Sequence, residues 1–329
     1  MSEAGSVVRY ALSALAAGHA EPLDGRGTNS CYRVTHLGRP LSVKVHCADR
    51  SSPLELRRLR RVDAALYGRD WYPPLLDVGF STEHQPRLVV VRPFVRGAPS
   101  TDARQHIGQL LQVMSDLKAC GTAVEAVDGL VGDYASPWLS SDQREARDIR
   151  PFLTGRRRVL ARALENHLDE LLLAVSRLGH SASPIIYHGD LHGRNLISHG
   201  QQPLTVIDWD EAGFTHRPAD AAKALWLTCR QGRGDFVLHP ETVRTFLRTA
   251  HASLGIPYAN VLDLAALGAL WFLPRRSHLA LLDLRGPDLV PWYLDWISRF
   301  WSRYRENRES LTAIADALRA EGTPARPAR

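Results

Sequence analysis

A histidine, a glycine, an aspartate and an asparagine stand between two apolar segments in His188-Gly189-Asp190-Leu191-His192-Gly193-Arg194-Asn195. The next apolar run, Leu204-Thr205-Val206-Ile207, ends on a second aspartate in Asp208-Trp209-Asp210. A carboxylate can hydrogen-bond a hydroxyl and accept its proton. An asparagine oxygen and a second carboxylate returning to the same place are hard oxygen ligands of the kind Mg2+ prefers. Phosphoryl transfer to an alcohol asks for this set: the hydroxyl aligned, its proton accepted and the phosphate charge neutralised. The competing reading is a polar turn whose His and Asp only cap local structure. Four specified residues at this spacing, followed by I-D-W-D at the end of a strand, argue against it.

The two segments resemble the catalytic loop and metal loop of the aminoglycoside phosphotransferase and choline kinase superfamily. Protein kinases share the plan, with an Arg where Gly189 sits and Phe-Gly after the metal aspartate where this chain has Trp209-Asp210. The resemblance implies an α+β, bilobal, protein-kinase-like fold, with a small antiparallel β lobe carrying one main helix and a larger, mostly helical lobe. It implies Asp190 as catalytic base, Asn195 and Asp208 as Mg2+ ligands, and ATP or GTP as phosphoryl donor.

It also implies a lysine on the third strand of the first lobe and a glutamate on the helix after it. Lys44, in Leu41-Ser42-Val43-Lys44-Val45, answers to the first. Only three of the 41 basic residues are lysine, so each needs a reason. A compact point charge for phosphate oxygens is the reason for Lys44, and a surface-strand lysine the alternative. For Lys118 and Lys223, chance survival in an arginine-rich chain is the reading adopted. Glu55 opens an inward helix face and could meet Lys44, although the helix dipole favours any acid in a first turn. The turn at 24–30 matches the nucleotide-covering loop only loosely. Its candidates are Gly27, Thr28 and Asn29, and a hairpin would use the same glycines. Residues 92–97 take the place of the hinge, with Pro93, Phe94 and Val95 against the base. Pro93 has no N–H, so the donor comes from Phe94 or Val95.

The elements that must carry these residues follow from hydrophobic period. Residues 7–18 read as a helix and 19–23, 31–36 and 41–46 as strands. Residues 53–66 form a helix started by Ser52-Pro53, with Leu59, Val62 and Leu66 inward and Arg57, Arg58, Arg60 and Arg61 mostly outward. Strands at 75–80 and 88–91 follow. Helical spacing then recurs at 107–119, 156–177, 219–230, 240–253, 261–284 and 291–320. The expected organisation is a nucleotide-binding lobe at 1–96, a catalytic and substrate lobe at 97–320, and a frayed tail at 321–329.

A net charge of +6 across 329 residues suits an anionic ligand such as a nucleotide. The basic residues are scattered, which argues against nucleic acid. No run approaches the roughly 18 apolar residues of a membrane span, and no secretory leader is visible, so a cytoplasmic location with no membrane partner is expected; a monomer or weak dimer is the expected state. Cys31, Cys47, Cys120 and Cys229 lack metal-site spacing.

Arg217-Pro218-Ala219-Asp220 follows the metal loop too soon for a peptide-docking segment, so a small-molecule hydroxyl is the expected acceptor. Asp220 reads as a helix cap. An antibiotic, aminoglycoside-type or other, leads the list, followed by a sugar, amino alcohol or other metabolite. A nucleotide-binding pseudoenzyme is the alternative of another class. Asp210 and Glu211 are candidates for binding acceptor amines. Arginines among the acids of the last helices depart from the acidic groove a polycation requires. Trp271, Phe272, Trp292, Tyr293, Trp296, Phe300 and Trp301 form either a stacking wall or, the favoured reading, helical core.

Overall fold

The computed structural model describes residues 4–23, 29–82, 84–100, 103–122, 129–132, 154–178, 181–199, 202–232, 234–286 and 288–321. Gly27 and Thr28, and the tail after Glu321, lie outside the described residues.

The first hundred residues build an antiparallel sheet from β1 (Glu21–Pro22), β2 (Ser30–His36), β3 (Arg39–Val45), β4 (Asp77–Phe80) and β5 (Leu88–Pro93), in the order β1-β2-β3-β5-β4. The apolar run in β5 has no polar alternation because both faces are covered. Val89 and Val91 pack with Leu41 and Val43 of β3 against Val8, Ala11 and Ala14 of α1 (Ala4–Ala16). Leu88 and Val90 pack on the other face with Val78 and with Leu59 of α2 (Pro53–Leu66). The sheet thus carries two helices, one per face, at the two places where the hydrophobic period predicts them. Ser52 starts α2 as foreseen, its side chain accepting a hydrogen bond from the Glu55 amide at 3.2 Å.

A short β6 (Ala98–Pro99) leads into α3 (Ile107–Thr122), α4 (Arg158–Asn166) and α5 (Leu168–Arg177). Two small sheets follow. β7 (Ile185–Tyr187) pairs with β10 (Gly213–Thr215), and β8 (Leu196–His199) joins β6 to β9 (Gln202–Val206). The helices α6 (Ala219–Thr228), α7 (Pro240–Leu254), α8 (Val261–Leu270), α9 (Arg276–Arg285) and α10 (Leu289–Glu321) complete the larger lobe. All ten residues of α6 are buried. It crosses α8 at Gly268, where a Cβ would stand 2.2 Å from the Ala222 carbonyl oxygen, so only glycine allows this approach.

Two expected helices are each broken in two. The 156–177 stretch turns at His167, between α4 and α5. The 261–284 stretch stops after Leu270, because Pro274 lacks an N–H and drives the preceding residue out of helical geometry. This second break turns Trp271 and Arg275 toward the interlobe cleft. Among the described residues no helix is long and apolar enough to cross a membrane.

Candidate active site

The H-G-D-x-x-x-x-N segment leaves β7 as a loop whose backbone is held from three directions. Asp220, near the start of α6, accepts from the His188 amide at 2.7 Å and the Gly189 amide at 2.9 Å. Asp220 therefore braces this loop across the fold rather than capping its own helix. Within the loop His188 Nδ1 accepts from the Asp190 amide, which leaves Nε2 to carry the proton and donate to the Ile207 carbonyl at 2.9 Å. Gly189 has φ +86, and a Cβ there would lie 2.7 Å from Cβ of Glu211, so conformation and space both demand glycine.

Three side chains converge on the Asp190 carboxylate. Lys223 Nζ lies 2.6 Å from Oδ1 and also donates to the Gly189 carbonyl at 2.8 Å. Asn195 Nδ2 donates to Asp190 Oδ2 at 3.1 Å and to its carbonyl oxygen at 2.8 Å. His192 Nε2 stands 3.2 Å from Oδ2, while His192 Nδ1 accepts from the Arg194 amide, so a neutral His192 already presents a donor to Asp190. Burial alone would raise the carboxyl; the Lys223 charge and the His192 contact outweigh it and hold Asp190 well below the usual carboxylate range.

Lys223 is not the chance survivor of an arginine-rich chain that its sequence context suggests. The ammonium is buried, with its nitrogen 3.6 Å from the ring centroid of Trp271, so it carries an ion pair and a cation–π contact on a helix with no exposed residue. The scarcity of lysine that singled out Lys44 pointed equally to Lys223.

Across the cleft, Lys44 sits on the central strand β3, with Ser42 on the face opposite Leu41 and Val43. Its ammonium meets Asp208 Oδ1 and Asp210 Oδ2, both at 2.7 Å. Burial opposes the charge, but Asp210 and Asp208 raise the Lys44 pKa overall. Asp208 follows β9 with φ +69 and ψ 55, a left-handed conformation sparsely populated by residues other than glycine. Trp209 anchors this turn in the core, stacked on Trp71 at 5.8 Å and edge-on to His188 at 4.5 Å.

Several expected contacts differ. Glu55 does not meet Lys44; its carboxylate pairs with Arg58 one turn along α2, and Arg58 donates to the Asp210 carbonyl at 2.7 Å. Arg58 was expected to face outward and instead points into the cleft, where it ties α2 to the turn after β9. Asp210 does not face an acceptor amine. It is buried, bonded to Lys44 and to Asn29 Nδ2 at 2.7 Å; burial raises its carboxyl but Lys44, His46 and Asn29 pull it far down. Glu211 lines the cleft but is paired with Arg50 at 3.0 Å. In the 92–97 segment the Phe94 amide donates to Pro40, at 3.0 Å, which removes it as a donor for a base and leaves Val95.

Pro93, Phe94 and Val95, Asn29, Lys44, Glu55, Asp190, Asp208, Asp210 and Glu211 line one cleft of about 1710 Å³ between the lobes, roomy enough for two substrates side by side. Asn195 lies just behind it, bonded to Asp190. Among the described residues no three His, Cys, Asp or Glu side chains form a metal cage. One carboxylate and one amide oxygen, at Asp208 and Asn195, fit the way Mg2+ binds when substrate phosphates supply the other oxygens.

A β-rich lobe, a helical lobe and this cleft define a kinase-fold phosphotransferase. The sequence matches the Phosphotransferase enzyme family (APH) over residues 19–253, and the chain belongs to that family. No curated protein sequence matches it. Among solved structures it is similar to a microcompartment-associated aminopropanol kinase, at TM-score 0.67 and 20% identity over 92% of this chain and 98% of that one. It also resembles a putative aminoglycoside phosphotransferase from Ralstonia eutropha JMP134, at TM-score 0.56 and 16% identity over 91% and 92% of the two chains. A third is a thermostable APH(4)-Ia variant in ternary complex with AMP-PNP and hygromycin B, at TM-score 0.53 and 14% identity over 93% and 94%. At such identities the likeness is one of fold.

Proposed function

We propose that the protein transfers the γ-phosphoryl group of ATP or GTP to a hydroxyl of a small molecule bound in the interlobe cleft. The observation that carries this reading is the Asp190 carboxylate, kept ionised by Lys223 and His192 and bonded by Asn195, in the cleft that Lys44 and Asp208 also line.

Asp190 Oδ2, or Oδ1 after a small shift, accepts a hydrogen bond from the acceptor hydroxyl and aims its oxygen at the γ-phosphorus. As the new O–P bond forms, the bond between the γ-phosphorus and the bridging oxygen breaks, ADP or GDP leaves, and the hydroxyl proton passes to Asp190. Lys223 positions Asp190 through Oδ1 without entering the reaction. Lys44 contributes a point charge to the phosphates. Asn195, whose amide nitrogen is turned to Asp190, and Asp208 would hold Mg2+, which supplies charge neutralisation at the phosphates when bound. Val95 offers the backbone donor for the base edge.

The test is incubation with Mg2+ and ATP or GTP across hydroxylated antibiotics, sugars, amino alcohols and hydroxy acids, read by mass spectrometry for an added phosphate. A product that disappears with Asp190→Asn supports the reading. Nucleotide binding with no transfer to any member of the panel would favour a nucleotide-binding module instead.

A further inference from the structure

The wall of the cleft beyond Asp190 has a character that the reaction itself does not require. Trp271 lies against Lys223, and Lys223 against Asp190. Trp296 stands perpendicular to Trp271 at 5.6 Å, and Trp292, one turn earlier on α10, is parallel to Trp296 at 6.4 Å. An aromatic surface thus runs outward from the Asp190–Lys223 pair and ends on Trp292, which is 43% exposed. The core role favoured for these rings holds for Phe272, Phe300 and Trp301, which are buried, whereas Trp271, Trp292 and Trp296 line the cleft.

Arginines line this cleft as well. Arg275 follows Trp271 by one turn's length of chain, and Arg299 follows Trp296 by three residues on α10, with its guanidinium beside Gly234. Described cleft-lining residues include nine lysine and arginine side chains against five carboxylates. Each of those carboxylates already has a cation of this chain in contact: Arg58 on Glu55, Lys223 on Asp190, Lys44 on Asp208 and Asp210, Arg50 on Glu211. An amine-rich acceptor would have to break these pairs and approach Arg275 and Arg299. The guanidinium of Arg299, on the cleft wall, offers an anionic group of the acceptor complementary charge.

We propose that the acceptor is a hydroxylated compound with a flat or apolar skeleton and an oxyanion, a carboxylate or phosphate ester. The tryptophan surface stacks the skeleton, Arg299 with Arg275 holds the oxyanion, and the hydroxyl is presented to Asp190. This rests on the phosphotransferase reading above and names its acceptor class.

A matched series tests it: para-hydroxymethyl-phenylacetate, para-hydroxymethyl-benzyl phosphate, para-hydroxymethyl-phenylacetamide and para-hydroxymethyl-phenethylamine, with hygromycin B as polycation, each assayed with Mg2+ and ATP or GTP. The acid or the phosphate ester should exceed the amide and the amine in kcat/KM by about tenfold or more, the size of one charge-assisted hydrogen bond, and the better of the two identifies the oxyanion. Arg299→Glu should reverse the order of acid and amine, a gain that a merely misfolded variant cannot show. Preference of the unaltered protein for the amine or hygromycin B, or an order indifferent to Arg299→Glu and Arg275→Gln, overturns the proposal.

Should no probe be phosphorylated, calorimetric titration of the same four compounds in the presence of Mg2+ and ADP decides: tightest binding of an oxyanion supports it, and equal or amine-first binding overturns it. Failure of the phosphotransferase reading is seen separately, as an absence of Asp190-dependent nucleotide turnover with any acceptor.

Discussion

Asp190 is surrounded by donors, and their separate effects can be measured. Asp190→Asn keeps the size and one oxygen for Lys223, but removes the proton acceptor and turns an NH2 group toward the donors Asn195 Nδ2 and His192 Nε2. It should lower kcat by about 10²–10⁴-fold with nucleotide affinity changed little, as read by steady-state kinetics and nucleotide titration. Lys223 makes a different prediction. The folded Asp190 carboxyl lies below the ordinary value near 3.9, so its ionised form is lost only as pH falls through that depressed range. Lys223→Met fills the same volume and removes the largest influence lowering the pKa, so the acid limb of the kcat/KM profile should move to higher pH. If kcat falls while the acid limb stays in place, Lys223 acts by orienting Asp190 through its hydrogen bonds and not by its charge. Both residues stand out in the sequence, Asp190 by its motif and Lys223 by the rarity of lysine. Only the contact between them, over 33 positions, needed the fold.

The element that matters most to the site is α6, which brings Asp220 to the loop backbone and Lys223 to the carboxylate. Its position depends on the close crossing with α8. Gly268→Ala places a methyl group against the Ala222 carbonyl and should cost about 1–3 kcal/mol by overpacking, with Tm and kcat falling together as α6 is displaced. Gly108→Ala on α3 is the control. Apart from its own helix backbone and chain neighbours, no atom lies within 4 Å of that Cβ position, and the helix should gain about 0.5–1 kcal/mol. Unchanged kcat in a destabilised Gly268→Ala would show that α6 tolerates the shift without disturbing Asp190. At this scale the sequence was legible where period and capping agree, as in α2, which spans Pro53–Leu66 as expected. It was overrun where an apolar period continued past a breaker. Pro274 was a visible signal, and it separates α8 from α9.

At the scale of the molecule, the lobes are joined by charges. Lys44 reaches Asp208 and Asp210, Arg50 reaches Glu211, Arg58 reaches the Asp210 carbonyl, and Arg285 of α9 donates to the Asn29 carbonyl at 3.1 Å. Lys44→Met removes the cation from a largely buried carboxylate. Stability should drop by up to about 3–5 kcal/mol, and nucleotide KM should rise, measured by denaturant unfolding and by kinetics. The pH dependence has a definite sign. Asp210 is depressed in the folded protein, so its stabilising contribution is full above the unfolded value near 3.9 and is lost as pH falls below it. Without Lys44 the folded Asp210 pKa rises, and the acid-side loss of stability should begin at higher pH. An unfolding midpoint with the same pH dependence in Lys44→Met would count against this coupling.

The sequence by itself determined what the local pattern can encode. It determined the antiparallel β-rich start, the helical remainder, the family resemblance through H-G-D-x-x-x-x-N and I-D-W-D, and the short chain from the metal-loop segment to Arg217, because these depend on period and on residues close together in the chain. Tertiary structure decided the pairings. Glu55 goes to Arg58 rather than Lys44 because the two share one face of α2 three residues apart, and Lys44 goes to Asp208 and Asp210 because β3 faces the turn after β9. Whether a tryptophan packs in the core or lines a cleft, and which arginines stand beside it, depends on how α8, α9 and α10 turn toward the cleft. Those orientations are set by contacts between residues far apart in sequence, which no local period records.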